Sequence, residues 1–276
     1  MKGKIGLQLY SLKDIINESS LVDILKKVKE IGYEGIEGVE RDGDPDTVHL
    51  FCNKKPSEIR AILEEVGLRA VSNHISLEDL KKDVEKTVRY YKEIGCDTLV
   101  IAGIPGRLFK DRDTVRSTVK EMSEISVKLA AHGMEFAFHN CPFTFVGKEC
   151  YELFAQEIGD TLALQPDAGN TCIAGVEPVK YFKKLHNRFV SMHVKDGRRA
   201  GNDMLPLDGG KEGKGNETIW ERFAALSTNV GNGDANLKKF VRLGEKRDVS
   251  WFIIEEEVTG DPLKTVEEAY RYLVSL

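Results

Sequence analysis

No apolar stretch of the sequence reaches the roughly 18 residues that a membrane-spanning helix needs, so no spanning helix is expected. Cysteine is scarce. Cys52, Cys96, Cys141, Cys150 and Cys172 are an odd number, scattered and without CxxC spacing, which argues against both a disulfide framework and a structural zinc knuckle. A reducing, cytoplasmic setting fits that usage. Positive charge is not in excess either: 40 Lys and Arg against 45 Asp and Glu leave a formal charge of −5. The field of the whole molecule therefore offers a polyanionic duplex no long-range attraction, and nucleic acid is not expected as a partner. Basic pairs such as Lys26-Lys27 and Lys81-Lys82 fall on amphipathic segments and read as solvated faces. No GxGxxG or GxxxxGK[ST] follows the first apolar run, where dinucleotide or phosphate binding would normally declare itself.

What is present is an ordinary globular composition, 41% hydrophobic and 31% charged over 276 residues, arranged in a regular rhythm. Ile5–Tyr10 is too short and polar for a signal sequence and reads as a first strand. Leu21, Ile24, Leu25, Val28 and Ile31 then share one face of a helix that Gly32 stops. Further strands are expected at 35–39, 68–73, 98–102, 134–139, 162–165, 189–194 and 251–254. Helices are expected between them, including a single long one over 77–94, and a last helix closes the chain at 261–273. Eight strands alternating with helices indicate an α/β chain forming a single (β/α)8 TIM barrel over 1–276, and the missing phosphate motifs count against an open doubly wound sheet. One connection breaks the rhythm: Gly197–Gly233 is long and glycine-rich, and its position between the last two strands suits an active-site lid.

Barrel enzymes carry their chemistry at the C-terminal ends of strands, and here the later strands end in polar residues. The fifth ends in His139-Asn140, the sixth in Asp167, the seventh at His193 with Lys195-Asp196 following, and the eighth in Glu255-Glu256-Glu257. Each alone has a bland explanation, because a strand-end carboxylate often caps the next helix and a lone histidine is commonly a hydrogen-bonded core residue. Several at successive strand ends would crowd unpaired groups together unless a metal or substrate satisfied them. A mixed oxygen and nitrogen set suits Mn²⁺, Co²⁺, Zn²⁺ or Mg²⁺. On the far wall of the same mouth, Gln8, Tyr10 and His74 offer donors and acceptors to sugar hydroxyls.

The runs Gly6-Leu7-Gln8-Leu9-Tyr10-Ser11, Ser72-Asn73-His74, Phe138-His139-Asn140, His193-Val194-Lys195-Asp196 and Ile253-Ile254-Glu255 occur in an order that resembles the sugar phosphate isomerase/epimerase family of the xylose isomerase-like superfamily. The resemblance covers nearly the whole chain. It implies one divalent metal held by strand-end residues of strands five to eight, and Asp167, His193 and Glu255 match the last three of these ligands. Family members carry a glutamate on or just after the fifth strand, whereas here no carboxylate follows His139 before Glu149. His139 could replace that ligand, which would favour Mn²⁺, Co²⁺ or Zn²⁺ over Mg²⁺, with Mn²⁺ first, and a water filling the position is the alternative.

The same resemblance implies an isomerase or epimerase of a sugar or keto-sugar. Glu255 would be the base, Lys195 would stabilise the oxyanion, His74 or His139 would move a proton or fix a hydroxyl, and Gln8, Tyr10, His74, Asn140 and Lys195 would contact substrate. Because epimerases of the family use two opposed glutamates and only Glu255 is evident, two alternatives stay open. One is a keto-polyol dehydratase or lyase, and the other is a non-catalytic sugar-binding barrel. The superfamily also includes an endonuclease of abasic DNA that holds several metals through many histidines; six histidines in this chain fit it poorly. Segments 41–51, 104–110 and 197–233 are the candidate specificity loops, and family members often pair as homo-oligomers.

Overall fold

The computed structural model describes residues 2–40, 51–52, 54–102, 106–145, 147, 149–200, 219–257 and 260–276. Eight parallel strands make the barrel: β1 (Lys4–Gln8), β2 (Gly35–Glu40), β3 (Arg69–Ile75), β4 (Thr98–Ile101), β5 (Glu135–His139), β6 (Leu162–Gln165), β7 (Met192–Val194) and β8 (Trp251–Ile254). Their hydrogen-bonded order is β6-β5-β4-β3-β2-β1-β8-β7. Parallel bridges Leu164 to Phe189 and Asp167 to His193 bring β6 and β7 together, so the sheet returns on itself.

Helices fill the connections: α1 (Leu21–Ile31), α2 (Pro56–Val66), α3 (Leu77–Lys82), α4 (Val84–Ile94), α5 (Arg112–Ala131), α6 (Cys150–Glu157), α7 (Ala168–Ile173), α8 (Pro178–Lys184), α9 (Ile219–Leu226), α10 (Leu237–Glu245) and α11 (Pro262–Val274). In α1 the residues expected to share a face do so, with Leu21, Ile24, Leu25 and Val28 buried. Among the described residues no helix is long and apolar enough to cross a membrane. The cysteines form no disulfide.

The period-two pattern of the strands separates two shells of packing. On β5, Phe138 points outward and stacks among Phe109, Tyr151 and Phe154, with ring centroids 4.7–5.9 Å away. Full burial of such a side chain contributes about 1.5–3 kcal/mol. Ala137 points the other way and meets Val100 of β4, Ala163 of β6 and Val190, a small apolar plug on the barrel axis. One step further along each strand toward the C-terminal side, the same inward rows carry His139 and Gln165, which are register partners. A polar layer thus sits directly on an apolar one.

Three local departures from the expected elements have physical causes. The helix expected over 77–94 is broken at Asp83, which is extended (φ −161°, ψ 90°) because its carboxylate accepts the Lys86 N–H and caps α4. Tyr10 belongs to a 3-10 turn, Leu9–Leu12, rather than to the first strand. Asp167 starts the short helix α7, and a Cβ on Gly169 would lie 2.8 Å from Lys195, so glycine there lets α7 press against the end of β7.

The long connection after β7 is tied at its base. Residues Asp196–Gly197 pair antiparallel with Ser227–Thr228, and the Asp196 carboxylate accepts N–H bonds from Gly197, Gly231, Gly233 and Ala235 at 2.9–3.2 Å. Gly233 is needed at this clamp, because a Cβ there would lie 2.3 Å from Asp196 Oδ1. Phe223 of α9 packs edge-on against Phe143 after β5, with centroids 4.9 Å apart, and Cys141 and Ile173 complete this small cluster on the C-terminal side of the barrel. Residues 201–218 of the expected lid, and 41–50 and 104–105 of the other expected specificity loops, lie outside the described residues.

Candidate metal centre

The polar layer is organised by a residue that the sequence reading did not single out, Glu37 on β2. A register shift between Ile36 and Glu37 places Ser72 of β3 opposite Glu37, while Gln8 of β1 is its partner on the other side. Fully buried, the Glu37 carboxylate accepts from Gln8 Nε2 (3.2 Å), Ser72 Oγ (2.5 Å), Gln165 Nε2 (2.7 Å) and His193 Nε2 (2.7 Å), with His74 Nε2 at 3.0 Å. Burial alone would raise its pKa, but the neighbouring His74 and His193 hold it well below the usual carboxylate range. Of the six histidines, His74, His139 and His193 converge here, with ring centroids 4.5–5.3 Å apart. His132 and His186 are on the surface, and His49 lies outside the described residues.

Above this floor, His139, Asp167, His193 and Glu255 each present a ligand atom, and the four atoms lie within 4.8 Å of one another. All four residues are buried. The Asp167–His193 bridge, with the His193 N–H donated to Pro166 O at 2.8 Å, sets two of them side by side. His193 Nδ1 is 2.8 Å from Glu255 Oε2 and 3.7 Å from Asp167 Oδ2, and His139 Nε2 is 3.8 Å from the same Asp167 oxygen.

Asp167 is used in two ways. Its Oδ1 caps α7 through the Asn170 N–H at 2.5 Å, and its buried Oδ2 has no hydrogen-bond partner among the described residues. Burial pushes its pKa up to about 7, against the pull of Lys195 and His193. An orphaned carboxylate oxygen facing two imidazoles is a costly arrangement unless a cation completes it, so these residues fit a divalent ion.

The surrounding charges are strongly organised. His193 is raised to about 10 despite burial, because Glu37 and Glu255 face its two nitrogens. Burial drives His139 well below the ordinary imidazole value, reinforced by His193 and His74, so it is neutral. Lys195, although buried, is kept charged by Glu255 and Glu257, whose oxygens lie 3.2 and 2.7 Å from its Nζ. Glu255 is held well below its ordinary pKa in spite of burial, through Lys195 and His193.

The other candidates are placed as follows. Gln8 and His74 join the floor; both His74 nitrogens face protein groups, Gln8 Nε2 at 3.3 Å on one side and Gln165 Oε1 at 2.9 Å on the other. Asn140 is buried and fastens the end of β6, accepting the Asp167 N–H at 2.9 Å and donating to Thr171 Oγ1 at 3.0 Å. Tyr10 is half-buried, and its hydroxyl accepts from Lys13 Nζ at 2.8 Å. Gln165, like Glu37, had not been singled out. The available signal for both was a polar side chain inside an otherwise apolar strand.

The model of the xylose isomerase-like TIM barrel family matches residues 25–276. No curated protein matches the chain by sequence. Solved structures are similar in fold. A sugar phosphate isomerase/epimerase from Parabacteroides distasonis has a TM-score of 0.74 at 17% identity, covering 99% of this chain and 94% of that one. A probable 3-DHS dehydratase, AsbF, from Bacillus anthracis has a TM-score of 0.70 at 18% identity, covering 98% of each chain. The IolI protein, solved with a bound zinc atom, has a TM-score of 0.74 at 12% identity, covering 99% and 97%. With a family model matching almost from end to end and eight parallel strands closed around the polar layer, this chain belongs to the xylose isomerase-like TIM barrel family.

Proposed function

We propose that this protein is a divalent-metal-dependent isomerase or epimerase of a sugar or keto-sugar, working by removal of a proton from the carbon beside a carbonyl. The observation that carries the reading is the convergence of His139, Asp167, His193 and Glu255 around the unpartnered Asp167 Oδ2. These four would hold the ion, Mn²⁺ by first choice, with Co²⁺, Zn²⁺ or Mg²⁺ as alternatives. When bound, such an ion supplies Lewis acidity toward a carbonyl and its neighbouring hydroxyl.

The rest is done by the chain. Glu255 takes the proton and, in an isomerisation, returns it to the neighbouring carbon; an epimerisation needs a second group to deliver a proton to the opposite face of the same carbon, a role for which His74 is the candidate. Lys195, charged and 3.2 Å from Glu255 Oε1, stabilises the oxygen on which negative charge develops. Tyr10 offers a hydroxyl to substrate. Gln8, His74 and Asn140 reach substrate only by giving up the bonds they make within the protein, so their first task is to hold the site in shape.

A second reading, a keto-polyol dehydratase or lyase, is favoured by the lack of any carboxylate between His139 and Glu149, the stretch on or just after the fifth strand where the family carries a glutamate. One base beside the carbonyl and loss of hydroxide from the next carbon need no opposed pair. The similar fold of a probable dehydratase agrees with this alternative.

The test is to incubate metal-replete protein with keto-sugars and keto-polyols in D₂O. Deuterium at the carbon beside the carbonyl, falling by about 10²–10⁴-fold in Glu255→Gln, is the expected result. An α,β-unsaturated product absorbing in the ultraviolet moves the assignment to the lyase. Ligand binding with neither exchange nor product leaves a sugar-binding barrel and removes the enzymatic reading.

A further inference from the structure

We infer that Gln165 is the positioning residue that fixes His139 in its Nδ1–H tautomer and thereby turns a bare Nε2 toward the candidate metal centre. The consequence for metal rests on the reading given under Proposed function; the tautomer assignment rests on hydrogen bonds alone.

The Glu37 carboxylate fixes which way the Gln165 amide points. An ionised carboxylate only accepts, so the group that Gln165 turns toward Glu37 must be its amide N–H. Gln165 Nε2 lies 2.7 Å from Glu37 Oε2 and 2.9 Å from Ser191 Oγ. Rotating the amide by half a turn would set Oε1 against the Glu37 carboxylate, acceptor against acceptor, in a fully buried place. The amide orientation is therefore dictated, and Oε1 faces the opposite way.

There it meets two imidazoles, His139 Nδ1 at 3.1 Å and His74 Nε2 at 2.9 Å. A carbonyl oxygen only accepts, so each ring must present an N–H at that nitrogen. With the ring hydrogen held at Nδ1, Nε2 is the nitrogen left to accept. The far side of the ring agrees independently, because the Asn170 Nδ2 donor lies 3.3 Å from His139 Nε2. The same nitrogen faces Asp167 Oδ2 at 3.8 Å. Glu37 accepts at His193 Nε2, so Nδ1 is the nitrogen on the metal side; it faces Glu255 Oε2 at 2.8 Å and would give up its hydrogen to an ion. Two histidines thus offer opposite ring nitrogens to one point, and hydrogen bonds two layers deep decide which nitrogen each offers.

The pairing also accounts for histidine on β5. A carboxylate at position 139 would face Gln165 Oε1 with no hydrogen between them, and the amide is not free to turn. His139 and Gln165 are a matched pair, and the histidine is built into the floor beneath it.

Long-range ¹H–¹⁵N correlation on metal-free protein labelled at histidine tests the assignment directly, with His139→Gln identifying the signals. The expected spectrum shows His139 protonated at Nδ1 and bare at Nε2. A His139 protonated at Nε2, or at both nitrogens, near neutral pH overturns the inference without any variant of Gln165. In Gln165→Met, which keeps the length and removes the amide, the tautomer is expected to change and the Kd for Co²⁺ or Zn²⁺, read by chelator competition, to weaken about 10–100-fold. Retention of both the tautomer and the affinity would show that Gln165 does not set them. If the wild type shows the expected tautomer but retains no ion, the metal reading fails and the tautomer assignment stands.

Discussion

Glu37 and Asp167 are both fully buried, yet among the described residues the floor of the barrel gives Glu37 five donors while the layer above leaves one oxygen of Asp167 with none. The two carboxylates respond in opposite senses: Glu37 is held well below its ordinary pKa and Asp167 is pushed up to about 7. Satisfied buried charge stiffens a structure, whereas unsatisfied buried charge stores a preference for whatever ligand completes it. The difference separates the residues that build the site from those that use it, although both kinds are equally inaccessible to solvent.

The comparison is broken most severely by Glu37→Leu, which leaves Gln8, Ser72, Gln165 and two imidazoles without their common acceptor. Urea unfolding of metal-free protein is expected to show a loss of about 3–5 kcal/mol, and wild-type stability in this variant would mean that the floor is not structural. Asp167→Asn probes the other side. The side-chain oxygen of asparagine keeps the α7 cap, so the metal-free variant should unfold within about 1 kcal/mol of wild type. Its affinity for Zn²⁺ or Mn²⁺ should fall at least about 100-fold, the upper end of what residues behind the ligands cost when altered. An ion-induced rise in Tm that survives this change would remove Asp167 from the ligand set.

Glu256 sharpens the comparison at the smallest scale. Its Oε1 accepts the Val230 N–H at 2.9 Å, its buried Oε2 has no partner among the described residues, and burial raises it to about 8. Here the unpartnered oxygen simply keeps its proton. Because the folded state binds that proton more tightly than the unfolded chain, the stabilisation is complete below about pH 4.5 and lost as pH rises through about 8. Glu256→Gln should remove this component. The variant is expected to gain on wild type by the order of 1 kcal/mol, roughly 2–4 °C in Tm, between pH 6 and pH 9. Parallel Tm curves for the two proteins would show that Glu256 does not titrate there.

Much of this architecture is legible in the sequence because local rules carry it. The stop glycines, the one-faced apolar pattern of α1 and the polar residues closing strands five to eight each speak within a few positions of themselves. Asp167 even fits both readings of a strand-end carboxylate, since one oxygen caps a helix and the other faces the imidazoles. What escapes is set by register between distant strands. Glu37 looks like one acid in a short strand until the shift at Ile36 brings Ser72 beside it and barrel closure brings His193 within 2.7 Å. Gln165 is inconspicuous for the same reason, as its partners come from strands 26–128 residues away. The Asp83 break is hidden because Leu80, Val84 and Val88 keep one apolar face running through it, so the two short helices read as one.

The Asp196 clamp has a consequence for how such a barrel can change. With its carboxylate gripping the returning chain at Gly231, Gly233 and Ala235, the excursion after β7 is tied off at the neck, and the strands on either side do not feel its length. Doubling a loop whose ends are already fixed costs only about 0.6 kcal/mol in closure entropy. The base then works as a socket: connections of different size and chemistry can be exchanged above it, altering what the mouth accepts while the alignment of His193 with Glu255 is left untouched.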